Sequence, residues 1–96
     1  MPPKYPDTEV FVWITGQIVD DRGRALPGVT VEVAGPTFVA RRAAISNSQG
    51  RYVMQDLRPG AYTITFARPG FFTLERTTVV AMFVATINAQ LQSGIP

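Results

Sequence analysis

The sequence predicts an all-β protein, an antiparallel β-sandwich preceded by an extended arm. Three observations carry that prediction. Apolar residues alternate with polar ones in short runs, as in "VTVEV" (29–33) and "AYTITFA" (61–67), which is the period of a half-buried strand. Gly, Pro, Asp and Asn cluster between the runs, as in "DDRG", "LPG", "SNSQG" and two copies of "RPG". No window sustains the i, i+3, i+4, i+7 apolar spacing of a helix.

Each element can be justified in chain order. Pro2, Pro3 and Pro6 fix φ and lack an N–H, so residues 1–9 read as an extended arm. "VFVWITGQIV" (10–19) is β-branched and aromatic, with Val10, Val12, Ile14 and Ile18 on one face and Phe11, Trp13, Thr15 and Gln17 on the other. "DDRGRALPG" turns the chain, and Val29, Val31 and Val33 then face inward. "AGPTFVARRAAI" starts at a Gly-Pro break and holds a short strand near Arg41–Ile45. After the turn "SNSQG", the strand "RYVMQDL" turns Tyr52, Met54 and Leu57 to the core. Tyr62, Ile64 and Phe66 do the same in the next strand. "FFTLERTTVV" and "FVATINAQL" supply two more, the last with Phe83, Ala85, Ile87, Ala89 and Leu91 on its apolar face.

Bulk properties narrow the class. Ninety-six residues, 46% hydrophobic and 17% charged, suit one folded domain over residues 10–96 rather than a disordered chain. The net charge of +2 rests on nine basic residues that are scattered, with Arg41–Arg42 the one adjacent pair. Nucleic-acid binding surfaces cluster such residues, so no nucleic-acid partner is expected. "MPPKYPDTEV" lacks the apolar core of a signal peptide. The longest strictly apolar run, Val79–Ala85, is far short of the ~20 residues of a spanning helix, so no membrane insertion is expected.

"GQIVDDRGRALPGVTVEV" and "SNSQGRYVMQDLRPGAYTITFARPGF" together resemble the carboxypeptidase regulatory-like domain. That pattern runs Gly and an apolar residue before D-x-x-G, then L-P-G-V-x-V-x-V, a polar turn into N-x-x-G-x-Y, L-x-P-G-x-Y-x-I, and a closing G-F. It falls on Gly16–Val33, Asn47–Tyr52, Leu57–Ile64 and Gly70–Phe71, within a resemblance spanning about residues 14–92. The resemblance implies a seven-stranded Greek-key sandwich, transthyretin-like or Ig-like. It also implies a non-catalytic accessory role beside peptidases, on cell-surface proteins or before the plug of TonB-dependent outer-membrane receptors, hence an extracellular or cell-surface location.

Composition removes most catalytic chemistry. Without His or Cys there is no Cys/His nucleophile pair, no imidazole acid–base catalyst and no ordinary zinc site. Asp20–Asp21 offers oxygens to calcium, but no loop supplies the six to eight ligands calcium takes, and the pair reads as an Asx-capped turn. Glu32, Asp56 and Glu75 read as solvated charges or arginine partners, and Arg41–Arg42 as an exposed loop. Some surface adhesin sandwiches crosslink a first-strand Lys to a last-strand Asn. Asn88 is placed for this, but the one Lys is Lys4, in the arm, while the strand positions hold Thr15 and Gln17. No catalytic, metal or cofactor residue is assigned, and no enzyme activity is expected.

Two stretches, Val10–Val19 and Thr77–Pro96, carry no charge. Sheet proteins guard their edges with Lys, Pro, bulges or inward charges, and these stretches have little such protection. The expected function is a structural subunit that binds copies of itself, by strand addition or edge packing, into an extracellular fibre. Its candidate contacts are Val10, Phe11, Val12, Trp13 and Ile14, with Val84 and Ile87 as groove members. One alternative is an accessory domain of a larger surface or outer-membrane protein. Another is a carbohydrate- or peptide-binding module with Trp13, Phe11 and Phe72 as an aromatic platform.

Overall fold

A computed structural model describes residues 11–35, 42–80 and 83–94. The arm (1–9), Val10 and Arg41 lie outside the described residues. Every regular element in the described part is a strand: β1 Val12–Val19, β2 Thr30–Ala34, β3 Arg42–Ile45, β4 Arg51–Leu57, β5 Gly60–Ala67, β6 Leu74–Val80, β7 Val84–Thr86 and β8 Ala89–Gln90. One sheet has the order β4-β1-β7, with β8 joining β1 further along, and the other has the order β3-β2-β5-β6. The two pack face to face as a sandwich.

The alternating runs fold as their period requires. Val12, Ile14 and Ile18 from β1, Val31 and Val33 from β2, and Ile64 and Phe66 from β5 are all buried in one core, with Val29, Leu26 and Leu91 closing it. Tyr52 and Tyr62 also point inward, and each hydroxyl finds a backbone acceptor at the rim. Tyr52 donates to the Ile87 carbonyl and Tyr62 to the Arg58 carbonyl, both at 2.6 Å. The rings therefore add apolar area to the core without stranding a polar atom.

The last expected strand departs from the sequence reading in two ways. It runs parallel to β1, not antiparallel, and it is interrupted. Trp13, Ile14 and Thr15 pair with Val84, Ala85 and Thr86, and Ile18 and Val19 pair with Ala89 and Gln90. Counting β7 and β8 as one broken strand gives the expected seven. The break falls where Gln17 N–H is accepted by the Asn88 side-chain oxygen (2.9 Å), a side chain standing in for the backbone ladder. Gly16 lies at the same point. A Cβ there would collide with the Ile87 carbonyl, so glycine is what lets the Ile87 backbone close onto β1.

A bulge corrects the parity of β4. Val12 faces Leu57 and Ile14 faces Met54, so Gln55 and Asp56 together oppose Trp13. Asp56 takes a positive φ of 60°. Arg42 opens β3, in keeping with the short strand expected near Arg41–Ile45 and not with the exposed loop also read there, and reaches across the sandwich edge. Its guanidinium donates to the carbonyls of Gln55 (2.9 Å) and Asp56 (3.4 Å), tying the second sheet to the bulge.

The turns at the end of β1 behave as their residues dictate. Asp20 Oδ1 accepts the N–H groups of Arg22 and Arg24, and Asn47 Oδ1 accepts those of Gln49 and Arg51. Between them Ser46 is buried. Its hydroxyl accepts from Val29 N–H (2.9 Å) and donates to the Leu26 carbonyl (2.8 Å).

Candidate interaction site

The seven residues expected to form an assembly surface separate into four groups. Val12 and Ile14 are fully buried in the protomer's own core, so their side chains are unavailable to a second copy. Their strand is also unavailable for strand addition, because β1 is paired with β4 on one edge and with β7 and β8 on the other. The alternation was read correctly; the lack of charge marks a central strand, hydrogen-bonded along both edges, and not a bare edge. Ile87 is half-buried against the core, and its backbone is engaged by Thr15 and Tyr52. Val10 lies outside the described residues.

Phe11, Trp13 and Val84 remain exposed. Trp13 and Val84 are direct partners in the parallel β1–β7 ladder, so their side chains share the outer face of that sheet. Trp13 is 42% exposed and Val84 54%. Thr15 and Thr86 continue the same row, and Val53, exposed on β4, stands opposite Thr15. Phe83, just before β7, is also exposed at the sheet's end. It was expected on the apolar inner face, yet it is 74% exposed, because β7 starts one residue later and the Phe83 backbone carbonyl accepts from Trp13 N–H (2.8 Å). Phe83 and Val53 are exposed apolar residues that the sequence reading did not place on the outside. Val53 was legible, since it alternates with the inward Tyr52 and Met54.

Phe11 stands apart from this row. It lines a cleft of about 160 Å³ with Val33, Leu57 and Tyr62, and the Arg58 guanidinium lies 5.7 Å from its ring centre. Phe72 is at the opposite end of the sandwich, where its N–H donates to the Gln92 carbonyl. The three-ring platform of Phe11, Trp13 and Phe72 is therefore not assembled.

Charge is concentrated elsewhere. The N–H groups of Arg24 and Arg22 hold the Asp20 carboxyl below its ordinary range, with Arg24 also at 3.6 Å as an ion pair. The Ser93 hydroxyl, donating at 2.7 Å, does the same for Asp21. Burial pushes the Tyr52 hydroxyl above its ordinary value, opposed by the positive charge of Arg76. Among the described residues, no three Asp or Glu side chains converge to hold a metal ion.

Comparison with known proteins follows this geometry. A family model, the carboxypeptidase regulatory-like domain, matches residues 13–92. Comparison with curated protein sequences gave no match. Among solved structures, the Bacillus anthracis TIE protein superposes with a TM-score of 0.74 at 13% identity, over 88% of this chain and 17% of that one. The full-length major pilin SpaD from Corynebacterium diphtheriae gives 0.76 at 13%, over 85% of this chain and 30% of the pilin. The 3-chlorocatechol 1,2-dioxygenase from Rhodococcus opacus 1CP gives 0.75 at 12%, over 98% of this chain and 64% of the enzyme. At these identities the likeness is one of fold. The chain spans between about a sixth and two thirds of the length of these neighbours.

Proposed function

Because the chain belongs to the carboxypeptidase regulatory-like domain family, we propose that it is a non-catalytic structural module that works by protein–protein contact with copies of itself at the cell surface or outside the cell. The contact is edge and face packing, not addition of β1. One observation carries this reading: the Trp13–Val84 pair, with Val53 diagonally across on β4, leaves apolar side chains exposed on the outer face of the β4-β1-β7 sheet, and Phe83 is exposed at its end. A sheet in a lone sandwich usually turns polar residues outward, and a contiguous aromatic and aliphatic row is the usual mark of a contact surface. If the row of one copy meets a different patch of the next, the contact is heterologous and repeats into a fibre. The pilin among the fold neighbours agrees with that direction, and the dioxygenase does not, at similar identity.

Sedimentation velocity and negative-stain imaging of the purified chain test the reading. Oligomers or fibres are expected, and Trp13→Thr with Val84→Thr should disperse them without unfolding the body. A strictly monomeric species at high concentration overturns it. That result favours the second reading, an accessory domain of a larger surface protein, which is supported by the chain's covering only 17% of the TIE protein and 30% of the pilin.

A further inference from the structure

On the side of the sandwich away from the Arg42 closure, the two sheets do not seal. β6 is an edge strand of one sheet, β7 and β8 form the edge of the other, and a polar groove runs between them. It consists of two adjoining clefts of about 460 and 250 Å³ that share Arg76 and Asn88. Gln17, Gln90, Thr78 and Thr86 add polar groups to the lining, and Val19, Ala89 and Ile87 add apolar ones. Arg76 belongs to the row of β6 that faces the core, opposite Ile64, but at the edge its exposed guanidinium opens onto the groove. The Asn88 oxygen is taken by Gln17 N–H, which leaves its amide N–H groups as donors. The groove thus presents a guanidinium and an amide side by side, a donor set that suits a carboxylate.

We propose that this groove binds an extended acidic segment, and that its occupant is the arm of a second copy, with Asp7 or Glu9 meeting Arg76. The proposal rests on the self-association reading above. Two features of the sequence favour this occupant. Residues 1–10 carry Asp7 and Glu9 against Lys4, a net −1, whereas residues 11–96 carry eight arginines against five carboxylates, a net +3. Asp7 and Glu9 are two apart, so they share one side of an extended chain. Length fits as well. Nine residues laid out as a strand reach roughly 30 Å, and a seven-residue strand such as β6 is about 23 Å long.

An inward-pointing charge on an edge strand also protects that edge from pairing. The two roles predict opposite results for one variant. The association constant of the full chain is measured by sedimentation at low and high salt for wild type, Arg76→Glu, and Arg76→Glu combined with Asp7→Lys and Glu9→Lys. Alongside, a synthetic peptide of residues 1–10 is titrated into the labelled full chain, and amide shifts are followed by NMR. The expected result is a loss of about tenfold in association for Arg76→Glu, recovery in the charge-swapped chain, and weakening of the wild type by salt. The peptide should shift Gln17, Thr78 and Asn88. Unchanged or stronger association of Arg76→Glu, in a chain that still assembles, overturns the inference and leaves the self-association reading intact. A monomeric wild type overturns that reading. In that case peptide shifts at Asn88 and Gln17 still support the groove as an acidic-segment site, and their absence overturns it.

Discussion

At the end of the sandwich where β1 leaves the core, Asp20, Asn47 and Ser46 each hold two backbone groups, and Gly50 packs directly beneath Leu26. At the opposite end, Phe11, Phe83 and Val84 stand exposed beside an Arg–aromatic contact and a cleft. The first end is fastened by short-range polar chemistry, in which a side chain bonds the backbone a few residues away or on the adjoining turn. The second is held by strand pairing and leaves its apolar side chains outward. The contrast separates stability from function: substitutions at the fastened end should unfold the domain, and substitutions at the apolar end should change what it binds.

The largest expected effect is at Gly16, which sets how closely the last strand approaches. Gly16→Val would drive the Ile87 backbone off β1, at a cost of about 3 kcal/mol, read as a lowered urea midpoint. Next is Ser46→Ala. It leaves the Val29 N–H and the Leu26 carbonyl unpaired in a buried place, for about 2 kcal/mol in the same measurement. Asn47→Ala, on an exposed turn, should cost about 1 kcal/mol. The pH dependence is a gentler probe of the same end. Asp20 and Asp21 titrate lower in the folded state, so their contribution is present above the ordinary aspartate pKa near 3.8 and is lost as pH falls through the lowered values. Acid unfolding monitored for Asp20→Asn should therefore lose part of its dependence below pH 3.8. The smallest stability change is expected for Val84→Thr at the other end, together with the clearest loss of self-association. A large destabilisation there would erase the contrast between the ends.

Legibility in the sequence follows the same division. D-x-x-G at Asp20, N-x-x-G at Asn47 and the inward residues of β1, β2 and β5 could be read because the responsible interactions are local or strictly periodic. The bulge at Gln55–Asp56 could not, since it is set by pairing with β1, 43 residues or so away in sequence. Leu57 was placed inward correctly, although strict alternation from Tyr52 and Met54 would turn Asp56 inward in its place; the bulge is what shifts the parity. The parallel direction of β7 and β8 was equally hidden, because a strand's side-chain period is two whichever way its partner runs. The candidate contact surface was half legible. Phe11, Trp13 and Val84 are exposed, as contact candidates must be, whereas Val12 and Ile14 were mistaken for an edge because their absence of charge has two causes, and a single sequence cannot separate a paired central strand from an unguarded one.

The position of β1 between β4 and β7–β8 also constrains how the chain is made. Residues 12–19 can zip to residues 51–57 once the first two thirds of the sequence have been synthesised, but their other margin waits for residues 84–90. Throughout that interval the nascent protein offers an open hydrogen-bonding border of eight uncharged residues to any neighbouring polypeptide. Secretion or chaperone capture would have to cover this interval, and a ribosome stalled before residue 84 would release a species prone to cross-pairing rather than a nearly finished domain.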